Sequence, residues 1–419
     1  MSQSSVGALA GAAWAADAAL SLQSLDESSP VIVARTEAWA AINSGSYEAA
    51  GLARMCELLT GAFAVLPGEV SLQALAPSER VRADGELAFI QHGAAVRVRV
   101  RAEAPIQIAL TGHYDTVFPA THPFQTTRRE GDTLHGPGAA DMKGGLSVML
   151  AALQAFEAAS GAKRIGYEVL LSPDEEIGSP ASAAWLAELG ARAHLGLTYE
   201  PALADGGLVD ARKGSGNYSL VYRGRAAHVG RAFGDGRSAV MAAAQAAIAL
   251  DALNGQHEGV TFNVGAIDGG GPPNVVPDRA VLRFNARAPD AESAAWAHGE
   301  IARIAERPRD GVSARLHGGF ARPPKPLNAP QRTMVRWTRD AGAALGLDLR
   351  FQASGGVCEG NNLAAAGCPN IDTLGPCGGG LHSDQEFALI PSFAERAKLS
   401  YLLLHGLNTG HFDVAGLRP

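Results

Sequence analysis

Ile106-Gln-Ile-Ala-Leu-Thr-Gly-His-Tyr-Asp115 is a mostly apolar run that follows Pro105 and stops at a Thr-Gly turn carrying a histidine and an aspartate. A short run bounded in this way reads as a buried strand, Ile106 to Leu110. The pattern continues downstream. Asp141 to Ala159 reads as a helix and Ile165 to Leu171 as a second strand running into Ser172-Pro173-Asp174. Pro180 to Leu189 then reads as a helix and His194 to Tyr199 as a strand. Strands alternating with helices of roughly 10–20 residues predict an α/β unit on a mostly parallel sheet. Upstream, residues 1–60 read as helical, with a turn at Asn43-Ser44-Gly45-Ser46 and a first amphipathic helix over Val6 to Leu22.

The periodicity changes after residue 212. Gly216 to Arg223 alternates with period two, a helix is expected from Gly236 to Leu253, and strands from Val260 to Ile267 and Ala280 to Arg287. A helix from Ala291 to Ala305 and a strand from Val312 to Leu316 complete a β-α-β-β-α-β order, the ferredoxin-like arrangement. Arg322-Pro-Pro-Lys-Pro326 reads as a return linker, after which helix–strand alternation resumes and rejoins the first sheet. The expected organisation is one discontinuous domain, 1–212 and 323–419, with a second domain, 213–322, inserted in it.

Composition narrows the function. With 47% hydrophobic residues the 419-residue chain has material for a large core, so disorder is excluded. The 35 basic and 42 acidic residues give a net charge of −7, and no Lys or Arg run exists to neutralise a phosphate backbone, which argues against nucleic acid. The apolar run Ser147 to Phe156 is far short of the ~20 residues a membrane span needs. No Lys or Arg precedes Arg35, and Asp17 and Asp26 interrupt the Ala-rich start, so the basic region of a signal peptide is missing. The four cysteines, Cys56, Cys358, Cys368 and Cys377, show no Cys-x-x-Cys spacing and read as free thiols. A cytoplasmic protein is expected.

Acidic and imidazole residues recur in Gly-rich turns at the predicted strand ends: His113 and Asp115, Asp141, Glu175 and Glu176, Glu200, and His382. In an open parallel sheet, ligands bind outside the carboxyl ends of the strands, so these positions point to one crevice. Two imidazoles with several carboxylates and no thiolate favour Zn, Mn or Co over a Ca or Mg cage. Converging carboxylates repel one another unless cations intervene, and a carboxylate can bridge two ions ~3.5–4 Å apart, the spacing of hydrolytic metal pairs. The His113-x-Asp115 spacing also suits a ligating imidazole that gives its second N–H to a carboxylate.

Leu110-Thr-Gly-His-Tyr-Asp-Thr-Val, Gly136-Pro-Gly-Ala-Ala-Asp-Met-Lys-Gly-Gly, Asp174-Glu-Glu-Ile-Gly-Ser and Gly224-Arg-Ala-Ala-His-Val-Gly together resemble a large metallopeptidase family. It includes aminoacylases, acetylornithine deacetylase, succinyl-diaminopimelate desuccinylase and the bacterial glutamate carboxypeptidases. The resemblance spans roughly residues 35–405 and leans to the last branch, through Glu200 and the closing Gly378-Gly-Gly-Leu-His-Ser. It implies a catalytic domain with an inserted lid and dimerisation domain, and two zinc ions, with Co or Mn as substitutes. His113 and Glu200 would hold one ion, Glu176 and His382 the other, and Asp141 would bridge them. Asp115 would orient His113, and Glu175 would be the general base toward the metal-bridging water. His228 would cross a dimer to stabilise the oxyanion in the partner's site, and Asn274 and Arg287 would contact the substrate's carboxylate end. Arg212-Lys213 and Ser354-Gly355-Gly356 are further candidates to line the site, and Tyr114 to shape its pocket. Cys358 reads as a buried small side chain near a loop that relatives use around the substrate. The activity implied is hydrolysis of an amide next to a free carboxylate, on N-acyl amino acids or short peptides ending in Glu or Asp, by a homodimer. Deacetylation of an ornithine-like amino acid and a metal-binding protein without turnover are the alternatives.

Overall fold

The computed structural model describes residues 13–161 and 163–418. The expected helix from Val6 lies partly outside them; from Ala13 the chain forms a 3-10 turn to Ala18 and an α-helix over Ala19–Glu27.

Five strands, β1 (Glu69–Gln73), β2 (Ala95–Val100), β3 (Ile106–His113), β4 (Ile165–Ser172) and β5 (Leu195–Thr198), build the larger sheet. A short strand at Asn370–Ile371 joins β5 at its edge, so the C-terminal part of the chain does rejoin the first sheet. The order is β1-β2-β4-β3-β5-edge. β4, β3, β5 and the edge strand run parallel, whereas β1 and β2 add antiparallel on the other side. That antiparallel half lies outside the strands expected from the sequence, although Ala95-Val-Arg-Val-Arg-Val100 alternates apolar and charged residues. β4 is buried at all eight positions, and β3 at every one but Gln107, as strands covered on both faces must be. The helix α1 (Lys143–Ala158) is buried almost all round, because the sheet, the N-terminal helices and the C-terminal helix Ile390–Thr409 enclose it. The helix expected at Pro180 begins three residues later, at Ala183, and runs to Arg192.

The later segment follows the expected β-α-β-β-α-β order: β6 (Gly214–Arg223), α2 (Ala239–Asp251), β7 (Thr261–Gly269), β8 (Arg279–Ala288), α3 (Ala291–Glu306) and β9 (Ser313–Arg322). Its four strands pair antiparallel in the order β7-β8-β6-β9. Tyr218, Leu220 and Tyr222 on β6 and Leu282 and Phe284 on β8 pack with α2 and α3 into a core of their own. The opposite sheet face is polar and turns toward the larger body.

Two linkers cross between the bodies and pair with each other: Arg212 and Lys325 exchange backbone hydrogen bonds of 2.9 and 3.0 Å. Both side chains end on one buried carboxylate. Asp372 Oδ2 receives Arg212 Nε and Lys325 Nζ, each at 2.7 Å.

Candidate active site

Parallel pairing sets the site before any side chain is considered. The register puts His113 opposite Ser172 and Thr111 opposite Thr198, so β3, β4 and β5 end side by side. Their next residues are Tyr114-Asp115, Pro173-Asp174-Glu175-Glu176 and Tyr199-Glu200. Asp141 enters from the turn before α1, and His382 from the turn after the Cys377–Gly379 strand.

His113 is fully buried, with Nε2 3.1 Å from Asp141 Oδ1 and 3.8 Å from Glu200 Oε1. Across the crevice, His382 Nε2 lies 3.5 Å from Asp141 Oδ2 and 3.1 Å from Glu176 Oε2. Asp141 thus turns one oxygen to each of two imidazole–carboxylate pairs. The His382 side chain is 59% exposed and its φ of 61° lies in the left-handed region, so this pair faces solvent. Ligand atoms of His113, Asp141 and Glu176 lie within 4.8 Å of one another, as do those of His113, Glu175 and Glu200.

Two further carboxylates fix these groups. Asp115 is buried 3.2 Å from His113 Nδ1 and accepts the Ser46 hydroxyl at 2.7 Å. It also accepts the backbone N–H groups of Glu175 and Glu176, both at 3.1 Å, so one side chain orients the imidazole and the turn bearing both glutamates. Glu386 accepts the N–H groups of Gly138, Ala140 and Asp141 at 3.0–3.2 Å and thereby holds the turn that presents Asp141. Glu175 Oε1 receives Arg322 Nη2 at 2.6 Å, an ion pair delivered from the last residue of β9.

Charge is crowded here. Burial, followed by the neighbouring Asp141 charge, pushes Glu176 up to about 8 and raises Glu200 well above the ordinary carboxylate range. Burial raises Glu175 as well, with Arg322 opposing. Burial acts against His113 too, but hydrogen bonds to Asp115 and Asp141 overcome it and raise the imidazole. His382, bonded to Asp141 and Glu176, is raised to about 11. Burial also opposes ionisation of Asp141, yet hydrogen bonds from His113 and His382 hold it below the usual range. The donor set of two imidazoles and several carboxylates around one crevice suits two borderline divalent cations. Glu200 Oε1 is buried without a hydrogen-bond partner among the described residues, the kind of unmet acceptor a cation satisfies.

The model matching this chain over residues 109–405 is that of peptidase family M20/M25/M40. The chain belongs to this family. It is 28% identical over 330 residues to carboxypeptidase G2 of Pseudomonas sp. (strain RS-16), covering 74% of this chain and 76% of that protein. It is 29% identical over 301 residues to the succinyl-diaminopimelate desuccinylase of Verminephrobacter eiseniae, covering 68% and 74%. The Bacillus subtilis YXEP protein, described as a dinuclear metal binding peptidase from the M20 family, shares the fold with a TM-score of 0.61 at 14% identity, over 92% of this chain and 99% of that one. The M20 chain is accordingly a metallopeptidase or amidohydrolase. No helix among its described residues is long and apolar enough to cross a membrane.

Of the residues singled out in the sequence, seven converge: His113, Asp115, Asp141, Glu175, Glu176, Glu200 and His382. Three do not join them. His228 is exposed on the inserted segment, its Nδ1 accepting the Gly230 N–H. Asn274 lies beside it, its carbonyl accepting the Val229 N–H. Arg287 on β8 donates to Asn285 Oδ1 and to the Gly355 carbonyl. Tyr114 is corrected: it points into the core, its hydroxyl donating to the Ala94 carbonyl, and shapes no pocket at the cluster. Arg212 is buried against Asp372 and Lys213 donates to the Gly259 carbonyl, so the pair serves the linker rather than the crevice. Cys358 is buried and caps a helix at Glu359–Ala365. Glu386, Arg322 and Ser46 escaped the sequence reading. Glu386 lies only four residues past His382, whereas Arg322 and Ser46 sit in segments read as linker and turn.

Proposed function

We propose that this M20 enzyme is a dizinc amidohydrolase that cleaves an amide next to a free carboxylate, releasing an acidic C-terminal residue from an N-acyl amino acid or short peptide. The observation carrying this reading is Asp141, whose two oxygens face two separate imidazole–carboxylate pairs. On this reading His113 and Glu200 hold one ion, Glu176 and His382 the other, and Asp141 both. When bound, the ions would supply Lewis acidity toward the scissile carbonyl and bring the pKa of water toward neutrality. Glu175 belongs to neither pair yet lies beside both. It takes the proton of the attacking water and returns it to the leaving nitrogen. Asp115 is a positioning residue acting through His113 and the Glu175–Glu176 turn.

Arg287 grips the free carboxylate. Strand register sets it in one row with Ser215 and Arg322, two strands or about 10 Å from the arginine that touches Glu175. Its Nη2 has no protein partner among the described residues, and a guanidinium suits a charge-assisted bond to carboxylate. Asn274 assists at the same end of the substrate.

Residues 213–322 act as lid and dimerisation domain over the catalytic body formed by 1–212 and 323–419. His228 serves the cluster of a second copy, donating to the developing oxyanion. Its exposure supports this role, as do the outward stripe of Met241 (48% exposed) and Ile248 (71%) on α2 and the free outer edge of β7. A cytoplasmic location suits the four unpaired cysteines.

Hydrolysis of a panel by zinc-loaded protein, with a chelator-treated control, tests the activity. Cleavage of N-acyl-glutamate and N-acyl-aspartate, abolished by chelation and by Glu175→Ala, is expected. Cleavage confined to N-acetylornithine or neutral N-acyl amino acids would overturn the preference for an acidic residue, and full activity in Arg287→Ala would remove Arg287 from its role. Full activity in Glu175→Ala would sink the mechanism.

A further inference from the structure

A cavity of about 500 Å³ lies between the polar face of the β6–β9 sheet and a hairpin of strands Ser78–Val81 and Leu87–Ile90. Ile177, next to Glu176, forms part of its wall, so the cavity reaches the turn that bears Glu175 and Glu176. Its walls are held in place. Arg283 Nη2 donates to the Val81 carbonyl at 3.1 Å, Arg223 pairs with Glu86 at 2.5 Å, and Val81 packs on Val221 and Val281.

The lining follows the strand register. One row crosses three strands as Asn263, Asn285 and Asn217. The next along the strands carries Arg283, Ser219 and His317. Asn285 is occupied, donating to Asn217 Oδ1 at 2.7 Å and Ser215 Oγ at 2.9 Å and accepting from Arg287 Nε at 2.8 Å. That arrangement turns the Asn217 amide so that its N–H groups remain available. Among the described residues, the side chains of Asn263, Ser219 and His317 make no hydrogen bond, although all three border the cavity. Arg80, lying over the Tyr47 ring, brings a guanidinium with no ion pair among the described residues to the hairpin wall beside Glu79, whereas Arg283 is already paired with Asp268.

Arg283 precedes Arg287 by four residues on the same face of β8, so the row it shares with Ser219 and His317 lies ~13 Å along the strand from Arg287. A carboxamide offers a donor and an acceptor, which matches the peptide group. A ligand with its terminal carboxylate at Arg287 and its scissile bond at the cluster has an amide-pairing wall ahead of it, then a cationic one. An acetyl group would leave both empty.

We propose that this cavity is the acyl-side subsite and takes a short acidic peptide, so that the preferred substrates are acidic peptides of three or four residues rather than N-acetyl amino acids. The assignment rests on the activity proposed above. The test compares Asp-Gly-Ala-Glu with N-acetyl-glutamate on zinc-loaded protein, and separately titrates the product peptide Asp-Gly-Ala into the protein by calorimetry. Wild type should favour the tetrapeptide about tenfold or more in kcat/KM. The ratio should fall toward one in Asn263→Ala and in Arg80→Gln, with peptide binding weakened about three- to tenfold, as loss of one hydrogen bond or charged contact predicts. The Asn263 side chain is exposed and makes no hydrogen bond among the described residues, so its variant tests the idea even if Arg80→Gln disturbs the hairpin. Equal use of both substrates by wild type overturns the proposal, as does an unchanged ratio in Asn263→Ala. Should neither substrate be cleaved, the activity reading fails and calorimetry decides the cavity: binding weakened in Asn263→Ala sustains it, and absence of binding overturns it.

Discussion

Asp372 is the point at which the pairing of the two linkers is most exposed to a single substitution. Its carboxylate is wholly buried, takes Arg212 Nε and Lys325 Nζ at 2.7 Å each, and takes Arg212 Nη2 at 3.1 Å. Asp372→Ala leaves two buried cations facing one another, and breaking a buried ion pair from one side costs ~3–5 kcal/mol. Asp372→Asn keeps the shape but removes the charge, and should lose a comparable part. Whole-protein stabilities are only ~5–15 kcal/mol, so the effect should be plain in urea unfolding and in the melting temperature. The dependence on pH supplies a second constraint. Burial alone would raise Asp372, but Arg212 and Lys325 outweigh it and hold the group at about 2 against an ordinary 3.8. A depressed carboxylate stabilises the fold above its unfolded pKa and loses that contribution as pH falls through its folded one. Here the contribution is roughly 2 kcal/mol at neutral pH and about half of that at pH 3. The gap between wild type and Asp372→Asn should therefore be constant from pH 7 to 5 and narrow by roughly 1 kcal/mol toward pH 3. A variant within ~0.5 kcal/mol of wild type, the range of an inconsequential surface change, would refute the view that this carboxylate ties the linkers together.

Three further outcomes follow from the site. Glu386→Gln keeps the size of the side chain but loses the carboxylate that gathers three N–H groups behind Asp141, and should weaken metal retention about 10–100-fold in chelator competition. Stripping metal from the loaded protein should lower the melting temperature, because metal at 100 times its dissociation constant stabilises the folded state by ~2.7 kcal/mol; an unchanged melt would mean that the cluster holds no ion. His228→Ala should lower kcat about 10²–10³-fold with an unchanged melt, since the ring is exposed and caps only a four-residue helix; light scattering that returned a fully active monomer would remove the residue from the partner's site.

What the sequence disclosed of this molecule was local. His113, Asp141, Glu176, Glu200 and His382 each stand in or beside a turn whose neighbours mark a strand or helix end, so spacing along the chain reports that they share one rim. The β-α-β-β-α-β segment was equally legible, because Tyr218, Leu220 and Tyr222 alternate with polar Ser219 and Val221 faces the other way. The antiparallel strands β1 and β2 were not. Glu69–Gln73 is an edge strand with only Val70 and Leu72 on its apolar side, and Leu72 is 53% exposed. Tyr114 misled for a related reason: next to a strand end its side chain can face either the crevice or the core, and the Ala94 carbonyl, twenty residues upstream, decides for the core. Asp372, Glu386 and Arg322 were illegible because their partners lie far away in the chain. Arg212 is 160 residues from Asp372, Asp141 is 245 from Glu386, and Glu175 is 147 from Arg322. Each of these three makes its contact with another residue across the fold. Asp115 was legible because it shares its turn with His113, whereas Arg322 reaches Glu175 only because the fold brings the sheet of β6–β9 alongside. The position of that sheet is thereby coupled to the residue proposed as the base, through one buried ion pair.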